Sequence, residues 1–139
     1  MKASEANHPS NIQEACTETP LGRAIHFLGD TWVLLIVMNL LQGSMRFNAL
    51  RSVLGHISSK TLSNRLKMLE ELGFVQRLAY LEIPPRVEYH LTAKGRELGD
   101  VLAALEEFGN KHLSNSTTIA ECDEYLSTNE KAPAVKQAE

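Results

Sequence analysis

Lys60, Ser63, Asn64 and Lys67 recur at three- and four-residue intervals, so at 100° per residue they share one face of an α-helix. Their side chains suit the edges of DNA base pairs: lysine donates to guanine O6 or N7, and asparagine pairs with adenine N6 and N7. Ser59 and Thr61, at the N-terminal end of the same segment, add hydroxyls and a methyl group that fit several base edges. Ser58 precedes them as an N-cap, and the free N–H groups of a helix that starts there attract a phosphate. Every surface helix has a polar outer face, however, so only the surrounding elements can separate a reading surface from a solvated one.

Charge is the first discriminator. The 139-residue chain has a net charge of −3, which by itself argues against a polyanionic partner. Between Met45 and Arg96, however, nine basic residues face four acidic ones, a balance of +5, while the remainder of the chain sums to −8. A basic middle in an acidic protein fits a localised polyanion site. Arg46 and Arg51, just before the candidate reading face, are expected to touch phosphates rather than bases.

The elements that must position these residues follow from apolar period and punctuation. Pro20 opens a helix whose stripe is Leu21, Ala24, Ile25 and Leu28, stopping at Gly29. Asp30 or Thr31 caps a second helix, Trp32 to Leu41, apolar nearly all round and so central to a small core. A third, roughly Arg46 to Leu54, buries Phe47, Leu50 and Leu54. After the Gly55-His56-Ile57 turn, a fourth buries Leu62, Leu66, Leu69 and Leu72 and closes at Gly73. Two helices joined by a tight Gly-containing turn form a helix-turn-helix.

Beyond Gly73 the pattern turns to β. Phe74–Leu78 and Arg86–Leu91 read as the strands of a hairpin, and Pro84-Pro85 make its connection a stiff projecting loop, a wing. Arg86, at the end of that loop, is expected to contact the DNA backbone or the adjacent minor groove, with an ion pair to Glu82 or Glu88 as the competing reading. Thr92 caps a long helix with Leu98, Val101, Leu102, Leu105 and Phe108 on one side. Residues 1–18 read as a polar arm and 19–113 as the winged domain with its last helix. Residues 114–139 read as a short helix and a disordered tail. The fold class is thus mainly α with a small β-hairpin, and one core suits the length.

In that order, Leu28-Gly29-Asp30-Thr31-Trp32, Arg46-Phe47-Asn48-Ala49-Leu50-Arg51, Ile57 to Leu66 and Pro84 to Gly95 give the chain its resemblance to a known group. It resembles the HxlR-type winged helix-turn-helix regulators, a bacterial group related to MarR. The resemblance covers residues 19 to about 113. It implies a homodimer built from the terminal helices that binds double-stranded DNA at a near-palindromic operator near promoters, and the role expected of this chain there is that of a repressor. Some members carry a reactive cysteine immediately before the proline that opens the first helix. Here that position is Thr19, and Cys16 lies three residues earlier. Cys16 therefore reads first as an incidental exposed cysteine, with Glu14 and Glu18 opposing thiolate formation, and an oxidant response through it is the alternative. A small-molecule effector between the dimer helices is the other regulatory expectation. Cys122, on an apolar stripe, reads as a small buried hydrophobe.

Other function classes find little support. The histidines are scattered with none paired at metal-ligand spacing, and there is no Gly-rich phosphate loop, so neither enzyme, metal nor cofactor is expected. The longest apolar run is half of a membrane span, and the first residues lack the apolar segment of a secretory signal, so a cytoplasmic setting is expected. A winged-helix module for protein interaction, without specific DNA binding, is the alternative to a DNA reader.

Overall fold

The computed structural model describes residues 18–113 and 123–124. Two compact units divide the chain, Met1–Gly99 and Asp100–Glu139. The expected N-terminal arm to residue 17, both cysteines and most of the expected C-terminal helix and tail lie outside the described residues.

In the first unit, α1 spans Pro20–Leu28, with Thr19 accepting a hydrogen bond from the Gly22 N–H at 2.9 Å. Asp30 caps α2, Thr31–Leu40, by accepting from the Val33 N–H at 3.2 Å. Both caps satisfy amides that a helix start leaves without an internal partner. Val33, Ile36, Val37 and Leu40 of α2 are buried and form the middle of the core. The helix is less uniformly enclosed than its composition predicts, since Met38 is exposed and Asn39 returns a hydrogen bond to the Leu35 carbonyl.

The α1 stripe departs from expectation. Leu21 is 70% exposed and Ile25 57%, and the helix buries no residue. Its contact with the core runs instead through Phe27, stacked on Phe74 with ring centroids 4.9 Å apart. An apolar period identifies a face that wants cover, and among the described residues the core does not cover it.

Met45–Arg46 form a short strand, β1, that the sequence pattern does not announce. It is followed by α3, Phe47–Leu54, and then α4, Ser59–Glu71. Leu50, Leu62, Leu66 and Leu69 are buried, but Leu72, expected on the same stripe, is 46% exposed. It is the C-cap residue, where the chain leaves the helical path, and Gly73 then takes the left-handed φ of +83°.

The hairpin consists of β2, Val75–Tyr80, and β3, Arg86–Leu91. The first strand therefore runs two residues further than its β-forming run predicts, because Ala79 and Tyr80 pair with Val87 and Arg86 across the ladder. β1 adds to the other edge of β3, with Met45 opposite Tyr89 and Arg46 opposite Glu88. The sheet is three-stranded and antiparallel in the order β1-β3-β2. Thr92 caps as expected, accepting from the Gly95 N–H at 3.1 Å, but the helix it opens is interrupted. A short α5, Ala93–Arg96, is separated from α6, Leu98–His112, by a turn at Glu97. Gly95 sits so close to the Phe74 carbonyl oxygen that a Cβ there would overlap it. That long-range approach leaves no mark on the apolar period.

In the second unit α6 continues from Asp100 to His112. Val101, Leu105 and Phe108 are exposed, Phe108 packs on the His112 ring, and Lys111 pairs with Glu107 at 3.9 Å. Among the described residues no single helix is long and apolar enough to cross a membrane.

Candidate nucleic-acid interface

The candidate reading face is built by α4. Its three buried leucines, Leu62, Leu66 and Leu69, seat one side of the helix in the core. Lys60, Ser63, Asn64 and Lys67 are all exposed on the other side, as the 3.6-residue period requires. Ser59 is exposed as well, and Thr61 is half-buried. At the N-terminus, the Ser58 hydroxyl accepts from the Thr61 N–H at 3.1 Å and donates to the Thr61 hydroxyl at 2.9 Å. Both hydroxyls are thus first of all parts of the cap.

The helix is clamped to its surroundings at several points. Arg65, flanking the leucine stripe, donates from Nε to Asp30 Oδ2 at 2.8 Å and pairs through Nη2 at 2.7 Å. Asp30 therefore does two jobs, capping α2 with Oδ1 and holding α4 with Oδ2. With both side chains about a third exposed, the pair contributes at most about 1 kcal/mol and serves chiefly to fix orientation. At the other end, the Lys94 ammonium donates to the Leu72 carbonyl at 2.7 Å and lies over the Phe74 ring, while the Thr92 hydroxyl donates to the Gly73 carbonyl at 2.6 Å. A cation at the C-terminal carbonyls of α4 complements the helix dipole.

These contacts sort the basic residues that composition alone lumps together. Arg65, Lys94 and Arg86 are committed inside the fold. Arg51 is exposed yet donates from Nε to the Ile57 carbonyl at 3.5 Å, bracing the turn between α3 and α4. Arg46, Lys60, Lys67, Arg77 and Arg96 are exposed and form no side-chain hydrogen bond or ion pair among the described residues. They are the cations free to meet a phosphate or a base.

Arg86 illustrates the difference most clearly. It lies opposite Tyr80 in the ladder, so its guanidinium stacks over that ring, 4.1 Å from the centroid. Glu88, two residues along the strand and so on the same face, stands 3.6 Å from Nε, and Glu82 reaches Nη2 at 3.2 Å. Of the two sequence-based alternatives for Arg86, the ion pair is the one this structure holds. Cys16 lies outside the described residues, and Thr19, the residue before Pro20, is a helix cap. Among the described residues no group of three or more His, Cys, Asp or Glu side chains could hold a metal ion.

Residues 27–117 match the HxlR-like helix-turn-helix family. The chain belongs to that family. The HTH-type transcriptional regulator YvaP of Bacillus subtilis is 39% identical over 106 residues, covering 76% of this chain and 96% of YvaP. The HTH-type regulator sll1512 of Synechocystis is 39% identical over 108 residues, covering 75% of this chain and 80% of sll1512. Among solved structures, the reduced form of the transcriptional regulator YodB from B. subtilis superposes with a TM-score of 0.63 at 34% identity, covering 68% of this chain and 93% of YodB. The redox regulator HypR in its oxidized form gives 0.63 at 31%, covering 68% of this chain and 97% of HypR.

This HxlR-type chain is accordingly a transcription regulator with a helix-turn-helix, formed here by α3, the Gly55–Ser58 turn and α4, and with β2 and β3 as its wing. Two structural residues of its interface escape sequence reading. Arg65 and Lys94 have no partner within their own helices, and the atoms they bond lie 35 and 22 residues away. The one available signal for Arg65 was negative: no carboxylate stands three or four residues on to pair with it.

Proposed function

We propose that this HxlR-type regulator acts in the cytoplasm as a homodimer that binds double-stranded DNA at a near-palindromic operator and represses transcription there. What carries the proposal is the outer face of α4, where Lys60, Ser63, Asn64 and Lys67 stand exposed opposite three buried leucines. Lys60, Asn64 and Lys67, with Ser59 and Ser63, read base edges in the major groove; Arg46 meets a phosphate, and Arg51, whose Nε is held by the Ile57 carbonyl, meets one through its remaining guanidinium N–H groups. Ser58 and Thr61 present the helix N-terminus to a phosphate through the cap they share.

The homodimer is favoured by two apolar helical faces, one in each unit. Leu21 and Ile25 of α1, and Val101, Leu105 and Phe108 of α6, are large exposed side chains of the kind that monomeric proteins seldom line up. A second copy of the chain is the proposed cover. Two-fold symmetry then spaces two α4 helices by about 34–36 Å, one turn of DNA. For regulation, Cys16 is the proposed thiol of an oxidant response, and a small molecule seated between the dimer helices is the proposed alternative effector.

Selection of duplexes from a randomised pool by the full-length protein, followed by affinity measurement across salt concentrations, tests the proposal. The expected outcome is a pseudo-palindromic consensus and a steep loss of affinity with salt, at a slope of about −0.9 per neutralised phosphate. No enriched sequence together with a flat salt response would identify an interaction module instead.

A further inference from the structure

The loop between β2 and β3 reads Leu81-Glu82-Ile83-Pro84-Pro85. Leu81 is 106% exposed and Ile83 103%, the most exposed large apolar side chains among the described residues. A single exposed leucine needs no explanation, but two aliphatics presented to water at the apex of a proline-stiffened hairpin do. The only cation of residues 81–86, Arg86, is turned back onto Glu82, Glu88 and the Tyr80 ring. The tip therefore offers no free positive charge to a phosphate, and what it does offer is hydrocarbon.

We propose that the wing tip enters the DNA minor groove as an apolar wedge. Leu81 and Ile83 pack against deoxyribose and the edge of a base step, and Arg86 braces the loop instead of binding phosphate. The proposal rests on the DNA-binding reading above and specifies how one part of that interface works. Three observations favour DNA over a protein as the occupant. Leucine, isoleucine and proline are among the side chains that act as wedges between base steps in the minor groove. The groove, about 6 Å wide, admits a narrow hairpin tip but no helix. Two side chains also fall far short of the roughly 800 Å² per partner that a stable protein interface needs. Pro84 and Pro85 lower the entropy lost on insertion. Flanking steps that unstack easily, TA and CA/TG, are therefore the preferred neighbours of the major-groove half-sites.

The test uses the full-length protein and a duplex that the wild type selects from a randomised pool, with 2-aminopurine placed at the flanking steps. In L81S/I83S neither change removes core packing, so the unfolding midpoint is expected to stay put. Affinity should fall about tenfold at an unchanged salt slope, as loss of apolar contact predicts. Netropsin, which fills the minor groove, should compete with the wild type and not with L81S/I83S. The 2-aminopurine brightening seen with the wild type should vanish in the variant. R86Q should keep the wild-type salt slope. Equal affinity of L81S/I83S and wild type overturns the wedge while leaving DNA binding intact, whether or not the variant has lost a protein partner. A salt slope lowered by about one in R86Q makes Arg86 a phosphate ligand and overturns its role as brace. A wild type that selects no duplex overturns the DNA reading and the wedge with it.

Discussion

The outer face of α4 and the tip of the wing both project into solvent, and they do so with opposite chemistry. On α4 the exposed side chains are hydrogen-bond donors and acceptors, and Lys60 and Lys67 have no internal partner among the described residues. At the wing the cation is held by two carboxylates and an aromatic ring, and the exposed groups are Leu81 and Ile83. A surface that reads bases needs free polar groups on a rigid support. α4 has that support, seated by three leucines and tied to Asp30, Thr92 and Lys94. A surface that fits a groove by shape needs stiffness and hydrocarbon, and the two prolines and the Arg86 brace supply the first. The contrast teaches that a basic segment is not a uniform electrostatic patch. Each cation must be followed to its partner before it is counted.

The sharpest way to collapse the comparison is to remove what both regions share. Gly95→Ala forces a Cβ into the Phe74 carbonyl at the junction that fixes the end of α4 and the start of β2. We expect a stability loss of about 3 kcal/mol in chemical denaturation, with DNA affinity falling alongside it. Next come the residues proposed to read bases. Lys60→Ala and Asn64→Ala should each lower discrimination between the selected operator and its base-substituted versions by about 1–3 kcal/mol, at constant protein stability. A loss of the same size on every sequence would abolish the assigned division between reading and anchoring.

Arg46→Ala should weaken binding to all duplexes alike and lower the salt slope by about one, the mark of a single phosphate contact. If it instead altered sequence preference, the boundary between the two kinds of contact would need to be redrawn. The smallest effect is expected for Cys16→Ser. In reducing buffer its affinity should match the wild type within about twofold, whereas diamide should shift the affinity of the wild type alone. Identical responses of the two proteins to diamide would remove Cys16 from the proposed regulation.

Most of the candidate reading face is legible in the sequence because it depends on neighbours close in the chain. Ser58 as a cap and the Leu62, Leu66 and Leu69 stripe, with the polar residues opposite it, all follow from hydrogen bonds or angular spacing within one helix. The wing was legible as a hairpin from its β-formers and prolines, but its surface chemistry was not. Whether Arg86 points to solvent or to Glu82, Glu88 and Tyr80 depends on the register of β2 on β3. β1 was missed because two residues are too few to carry an alternating pattern. Pairing with β3 is what makes them a strand.

The sequence by itself determined the first four helices, the caps at Asp30, Ser58 and Thr92, the turn, the hairpin and the face of α4 that looks outward. These are set by local hydrogen bonding and by a period that any reader of the chain can count. Tertiary structure alone decided which cations are free, that Asp30 holds Arg65 and Lys94 holds the end of α4, and that Phe27 rather than the Leu21–Ile25 stripe meets the core. Those outcomes join residues far apart in the chain, and no local preference encodes a partner that only the folded path brings near.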